Sequence, residues 1–478
     1  MIPIKYGIIY CLIIDTIGVH ILYIYSIYNT LSIIRLLCAL VNPIYLLLAS
    51  HRVTNNVNIF AKSLLDTNYK TERQFHIRFT RKENHMNNKN LKHLSDQHIL
   101  PTYARNPVAF VKGQGSRLWD ADGKEYIDFM SGIGVTSVGH AHPKWVQAVT
   151  EQAQNLAHVS NLYYTKPGAK LAKRLCELTS QMTGVFFANS GAEANEGLIK
   201  VARKYSSYKY GEGRATIITL EGSFHGRTLT TLAATGQARF HTNFHPLTPG
   251  FRHVPVGDMA ALEGQGDDVC ALLIEPIQGE GGVVPLKIEY VQAAAELCQK
   301  RDWLLLMDEV QTGIGRTGKW FGCQHAGIWP DGLSFAKGIA GGLPLGGFMV
   351  NSKLQDTLNP GDHATTYGAN PVACAAALAV IDILEPILPQ IDANGKYIHD
   401  TIKAMNLPQI ADIRGRGLMI GIKIKEHPPA AICAKLLESG LAAITAGTDI
   451  LRFLPPLTID KKDIDAGLKI LQNILRDC

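Results

Sequence analysis

Leu304 to Phe348 reads LLLMDEVQTGIGRTGKWFGCQHAGIWPDGLSFAKGIAGGLPLGGF, and two of its residues are placed to do chemistry together. Asp308 closes an apolar run, and Lys337 stands in a second short apolar run that leads straight into a glycine cluster. An acid at a strand's C-terminal end and a lysine before a Gly-rich turn suit a cofactor that has a cationic ring nitrogen and an aldehyde. Pyridoxal phosphate is such a cofactor: the lysine joins the aldehyde covalently and the aspartate keeps the ring nitrogen protonated. Taken alone, the same two residues also read as an ordinary strand-end acid and a solvated lysine, so the reading depends on what accompanies them.

Three further positions bear on it. Ser190–Gly191–Ala192 opens a helix directly after a strand, where unpaired N–H groups and the helix dipole make a seat for a phosphate. Ser190 is equally a good N-cap with no ligand in view. Phe224 follows another strand and could lie flat on a pyridine ring or simply fill core. Gln311, three residues after Asp308, could donate to a phenolic oxygen. The glycines of QGEGG, at 279, 281 and 282, lack the spacing of a nucleotide loop, and that reading is rejected.

The elements that must position these residues alternate. Val185–Phe187 leads into a helix over Ala192–Tyr205, and Ala215–Leu220 leads into Ser223–Gly226. Ala271–Ile274 runs into Glu275–Pro276, and Leu304–Met307 into Asp308. Strands followed by helices predict a mainly parallel sheet, with ligands bound beyond the strands' C-terminal ends. A helix is expected over Gly168–Thr183, and short strands at Val108–Val111 and Tyr126–Phe129 flank the turn Asp120–Gly123. The last hundred residues, with a helix at Pro371–Leu384 and strands near Leu418–Ile424 and Ile450–Phe453, read as a smaller α+β lobe.

Composition narrows the class. The chain has 478 residues and a net charge of +6, and residues 1–90 hold ten Lys/Arg against four Asp/Glu, so the excess is local to that segment. The remainder balances, and the basicity therefore gives no argument for nucleic acid. Nine cysteines without C-x-x-C spacing predict reduced thiols in a cytoplasmic protein with no metal site. Gly7–Tyr28 and Leu31–Ser50 are apolar runs of near-membrane length, each interrupted by polar or charged residues. Residues 1–85 are read as an N-terminal extension, either a spurious upstream start or two poor membrane segments. A membrane partner follows only if that extension is real.

From about Pro101 onward the sequence resembles the class III pyridoxal-phosphate aminotransferases of fold type I, and among them the acetylornithine aminotransferases. The motifs GHAHP, NSGAEANE, SFHGRT, EPIQGEGGV, MDEVQTGIGRTG, FAKGIAGGLPLG, TTYGANP and DILRFLPPL stand in the family's order. The resemblance implies an α/β fold: a large domain with a mainly parallel seven-stranded sheet plus a smaller α+β domain. The expected divisions are 86–160 and 371–478 for the small domain and 161–370 for the large one.

It also implies roles. Lys337 would hold the cofactor covalently and shuttle the proton, and Asp308 would pair with the ring nitrogen. Gln311 would meet the phenolic oxygen, Phe224 would stack on the ring, and Ser190, Gly191 and Ala192 would hold the phosphate. Thr366 would reach the phosphate of a neighbouring subunit, which implies a homodimer with shared sites. Arg452 resembles the arginine that takes the substrate α-carboxylate, and Glu280 the acid that pairs with it while the other substrate is bound. Arg227 resembles a residue for the side-chain carboxylate of 2-oxoglutarate or glutamate. Two departures are mild: Ala192 where threonine is common, and Ala340 where glycine is usual.

In related ornithine δ-aminotransferases a tyrosine that helps hold free ornithine aligns with Ile133. An acylated substrate has no free α-ammonium to satisfy, so an apolar residue suits it better. The expected reaction is ping-pong transfer of the δ-amine of N-acetylornithine to 2-oxoglutarate, in arginine biosynthesis. N-succinylornithine, N-succinyl-diaminopimelate and 4-aminobutyrate are alternative donors. A membrane-anchored binding protein on an inactive scaffold is the alternative of another class.

Overall fold

A computed structural model describes residues 11–15, 18–22 and 86–477. The chain divides into two units, Met1–His85 and Met86–Cys478. In the first, Cys11–Asp15 pairs antiparallel with Gly18–Leu22, so this part of the first apolar run is extended rather than helical. The rest of the two apolar runs lies outside the described residues.

In the second unit the apolar runs form a seven-stranded sheet. Its strands are β1 (Met182–Ala188), β2 (Thr216–Leu220), β3 (Phe251–Val254), β4 (Val269–Ile274), β5 (Leu304–Asp308), β6 (Gly332–Phe335) and β7 (Gly346–Asn351). The spatial order is β1-β7-β6-β5-β4-β2-β3. Only β7 runs against its neighbours. Every residue of β4, β5 and β6 is buried. A sheet covered on both faces needs continuous apolar strands, which is why these segments do not alternate.

Register then fixes the chemistry. The parallel pairing of β5 and β6 sets Asp308 beside Ser334, three residues ahead of Lys337. Lys337 begins the short turn Lys337–Ala340 just beyond β6. Helix α1 (Gly191–Tyr210) leaves the same edge after β1, with Ser190 as N-cap accepting from the Glu193 N–H. Helix α2 (Pro371–Leu384) packs against that lysine turn and against the helices Pro143–Asn155 and Lys166–Thr179.

Several expected boundaries move: the strand expected at Val108–Val111 forms at Phe110–Gln114, and the helix expected over Ala192–Tyr205 runs Gly191–Tyr210. The helix predicted over Gly168–Thr183 spans Lys166–Thr179 and stops at Ser180, whose φ of 55° is left-handed; Met182 and Thr183 open β1. The reversed strand β7 and edge strand β3 went unread in the sequence, because neither combines a clear alternation with a strong turn signal.

The smaller lobe draws on both sides of the sheet in sequence. Ile410–Arg416, Met419–Ile424, Ile450–Phe453 and Ile444–Ala446 form an antiparallel sheet in that order. Leu441–Ala442 instead joins Glu125–Asp128, Arg117–Asp120 and Phe110–Gln114, so residues on either side of the large sheet in sequence share one small sheet.

Candidate active site

Asp308 is 4% exposed, and both of its oxygens are held. Oδ2 accepts from Asn195 Nδ2 at 2.7 Å and from His225 Nδ1 at 2.9 Å. Oδ1 accepts from the Val310 N–H at 3.0 Å and the Ser334 hydroxyl at 3.4 Å. A buried carboxylate ringed by donors stays fixed in position while a cationic partner approaches. Neither Asn195 nor His225 was read from the sequence. The signal for His225 was its place beside Phe224 in SFHGRT, and for Asn195 its place one turn inside α1.

Lys337 has a φ of 45°, a left-handed conformation that is strained for a lysine and recurs at functional sites. Burial pushes its ammonium below the ordinary lysine range; Glu280 opposes the fall, Arg452 adds to it, and Asp308 and Glu275 oppose it. The result is an amine biased toward the neutral, basic form.

The N-terminus of α1 completes this end. Glu193 N–H is taken by Ser190 Oγ at 3.2 Å and Ala194 N–H by Ser190 O at 3.1 Å, while the N–H groups of Gly191 and Ala192, first in the helix, have no intrahelical acceptor. A Cβ on Gly191 would stand 2.7 Å from Val310 Cγ1, so only glycine lets α1 start this close to the segment after Asp308. Phe224 N–H donates to Glu275 Oε2 at 2.9 Å, which anchors the loop carrying the ring.

A second cluster lies within electrostatic reach of Lys337. Arg452 is 2% exposed, and its Nη1 donates to Glu280 Oε1 at 2.7 Å and to Gln311 Oε1 at 3.0 Å. Its Nη2 reaches Glu280 Oε2 at 3.3 Å, while Nε is buried without a partner. Burial alone would raise the Glu280 pKa; the charge and hydrogen bonds of Arg452 outweigh it and hold Glu280 below its ordinary value. Gln311, expected at a phenolic oxygen, spends its amide on this pair, its Nε2 donating to Glu280 Oε1 at 3.4 Å.

Glu275 is a buried acid that sequence reading passed over. It accepts from the N–H groups of Phe224 and, at 3.2 Å, of Gly279, so it ties the Phe224 loop to the loop that carries Glu280. Burial pushes it up to about 7, with His225 opposing and Asp308 adding to the rise.

The remaining predicted residues lie more openly. Arg227 is exposed, its guanidinium 4.0 Å over the Phe240 ring and 5.5 Å from that of Phe224. Ile133 is 44% exposed at a φ of 65°. Thr366 is exposed, while its neighbour Thr365 accepts from Asn189 Nδ2 at 3.2 Å. Among the described residues no group of His, Cys, Asp and Glu forms a metal cage.

A seat for an anion at α1, a fixed carboxylate at Asp308 and a buried basic amine at Lys337 match the phosphate, ring nitrogen and aldehyde of pyridoxal phosphate. The residues present fit that group.

Comparison with known proteins agrees. An acetylornithine aminotransferase of Haemophilus ducreyi is 48% identical over 396 residues, covering 82% of this chain and all of the relative. One from Methanocaldococcus jannaschii is 44% identical over 82% of this chain and 99% of its own length. Among solved structures, the ornithine aminotransferase of Toxoplasma gondii superposes with a TM-score of 0.79 at 31% identity, covering 82% of this chain and 95% of that one. The acetylornithine aminotransferase of Elizabethkingia anophelis gives 0.73 at 33% identity, over 82% of this chain and 100% of its own. The class-III aminotransferase model matches residues 100–475, and with Lys337, Asp308 and the head of α1 gathered at one sheet edge, this chain belongs to that family.

Proposed function

We propose that the protein transfers the δ-amine of N2-acetyl-L-ornithine to 2-oxoglutarate, giving N-acetyl-L-glutamate 5-semialdehyde and L-glutamate, a step of arginine biosynthesis. As a class-III aminotransferase it is a pyridoxal-phosphate enzyme. The observation that carries the substrate reading is the Arg452–Glu280 pair, 2.7 Å apart and in electrostatic reach of Lys337. The names of relatives 44–48% identical over about four-fifths of the chain support it.

When bound, pyridoxal phosphate supplies an electron sink for the carbon that bears the transferred amine. The chain does the rest. Asp308, held in place by Asn195 and His225, would face the ring nitrogen. Lys337 Nζ, whose charged form burial disfavours, would accept the proton lost from the amine-bearing carbon and hold it for return on the far side of the transferred nitrogen. Glu280 neutralises Arg452 while the acylated donor is present, so the pocket offers no bare cation to the arriving amine. With Glu280 moved aside, the Arg452 fork meets the α-carboxylate of 2-oxoglutarate, a bidentate match that a lysine would not give. Arg227 receives the second carboxylate, and Ile133 offers an apolar wall to the acyl side.

The working form in this reading is a cytoplasmic homodimer in which Thr366 serves the partner's phosphate seat. An exposed patch of Leu162, Tyr163, Tyr164 and Tyr367 lies beside Thr366 and supports that assembly. Asn161 Nδ2 ties the patch together, donating to Thr365 O at 3.2 Å and Gly368 O at 3.0 Å. Sedimentation equilibrium checks the assembly.

The test of the reaction is spectral. N-acetylornithine, ornithine and 4-aminobutyrate are added singly to the purified holoenzyme while the cofactor absorbance is followed. Rapid conversion by N-acetylornithine, reversed by 2-oxoglutarate, is the expected result. Faster conversion by either of the others overturns the donor assignment.

A further inference from the structure

Arg316 is a fully engulfed guanidinium, 2% exposed, on the segment eight residues beyond Asp308. It lies outside the clusters described so far, and its contacts are unusual in where they fall. Nη1 donates to Leu418 O at 3.0 Å and to Pro455 O at 2.6 Å. The antiparallel strands Met419–Ile424 and Ile450–Phe453 pair Ile420 with Phe453 and Gly421 with Arg452. Continued two residues outward, that register sets Leu418 opposite Pro455. One nitrogen thus closes the end of the strand pair that carries Arg452. The backbone adds a further link, Leu418 N–H donating to Arg316 O at 3.0 Å.

The same junction holds the turn that carries Ile133. Leu454 N–H donates to Phe129 O at 2.7 Å, and the Ser131 hydroxyl donates to Leu454 O at 2.6 Å. A Cβ on Gly134 would come 3.8 Å from Leu454 and 3.9 Å from Arg316 Nη2. Ser131, Gly132, Ile133 and Gly134 all have positive φ, between 47° and 77°, a left-handed turn that chain propensity would not keep without such ties. Arg316 Nη2 is itself buried without a partner, which marks a side chain placed for geometry and not for a complete set of hydrogen bonds.

We infer that Arg316 is a positioning residue for substrate: it fixes the strand bearing Arg452 against the turn bearing Ile133, and so sets the spacing between the carboxylate and acyl ends of the pocket. The inference rests on the proposed carboxylate role of Arg452. A lysine is not an equal replacement for Arg316, because its compact ammonium is more strongly hydrated than a delocalised guanidinium and costs more to hold in this buried junction.

The experiment uses holoenzyme and glutarate, a dicarboxylate with no keto group to react, titrated by the change in cofactor absorbance. Pyridoxal phosphate affinity is measured in parallel on the apoprotein. Arg316→Lys is expected to weaken glutarate about tenfold, the loss of a hydrogen bond from a charged group, and to raise KM for 2-oxoglutarate more than it lowers kcat. Cofactor affinity is expected to stay within about twofold. Ser131→Ala, which loosens the same junction from the other side, is expected to weaken glutarate about threefold and carries the test if Arg316→Lys does not fold. Arg452→Gln is the control. If it loses glutarate binding while Arg316→Lys and Ser131→Ala keep it, the positioning role falls and the carboxylate reading stands. If Arg452→Gln keeps glutarate, both fall. A parallel drop of glutarate and cofactor affinity in Arg316→Lys also overturns the inference, since it marks a merely structural residue.

Discussion

The two ends of the site are built by different means. At the cofactor end, Asp308 and Lys337 follow the neighbouring strands β5 and β6 and the head of α1 follows β1, one strand beyond β6 across β7, so a single sheet brings all three to one edge. At the carboxylate end, Glu280, Gln311 and Arg452 come from a loop after β4, a loop after β5 and the small lobe, and a hydrogen-bonded pair 172 residues apart in sequence holds them. The first end is rigid because its backbone lies in a buried sheet. The second can rearrange, because its key contact is one ion pair whose acid keeps 27% exposure. An enzyme that must fix one cofactor yet accept two substrates has use for that difference.

The comparison can be broken most severely at the rigid end. Lys337→Ala is expected to cut turnover about a thousandfold or more, the usual scale for losing a positioned base, read as single-turnover conversion of N-acetylornithine. Asp308→Asn removes the charge but keeps the shape, and a loss of about a hundredfold in kcat is expected. A smaller loss would mean that His225 and Asn195 carry the ring without it. Gly191→Ala drives a methyl into Val310; a fall of about tenfold in pyridoxal phosphate affinity is expected, the scale of modest overpacking, measured by titrating the apoprotein.

At the adjustable end the expected effects are smaller and lopsided. Glu280→Gln leaves Arg452 permanently available, so the glutamate half-reaction should gain on the N-acetylornithine half-reaction by several-fold, about the strength of a partly exposed ion pair. Stopped-flow measurement of each half-reaction separately tests this, and equal effects on both would end the switch reading.

The smallest effect concerns pH. Glu275 is raised in the folded protein from 4.5 to about 7, so between those values the folded state binds more protons than the unfolded one. Stability from this group is therefore greatest below pH about 4.5 and declines as pH rises toward about 7. Glu275→Gln should flatten that part of the stability profile, read as Tm against pH. Glu280 works in the opposite direction: its lowered pKa adds stability above its unfolded value, which is lost as pH falls through the folded one.

What could be read from the chain follows the same division. The apolar runs of β4 and β5, the capped start of α1 and the acid and lysine of the central segment are local patterns, and each element formed within a few residues of where its pattern lies. Thr179 and Ser180 show the limit: helical spacing continued past them, and a left-handed φ at Ser180 ended the helix all the same. Glu275 and Arg316 show a deeper limit, for nothing in EPIQG or GIGRTG says which backbone groups a buried carboxylate or guanidinium will serve. Asn195 and His225 likewise became partners of Asp308 only when β2, β5 and α1 packed.

By itself, then, the order of residues determined the parallel sheet, the place of its C-terminal edge and the types of group available there, because strand burial and helix capping are set by near neighbours. Tertiary structure decided the rest. How Gln311 is spent and how Arg316 holds the strand end against the left-handed turn depend on contacts across more than a hundred residues. Those contacts exist only once the two lobes have folded, since a buried charge takes its partner from whatever packing places within hydrogen-bond reach.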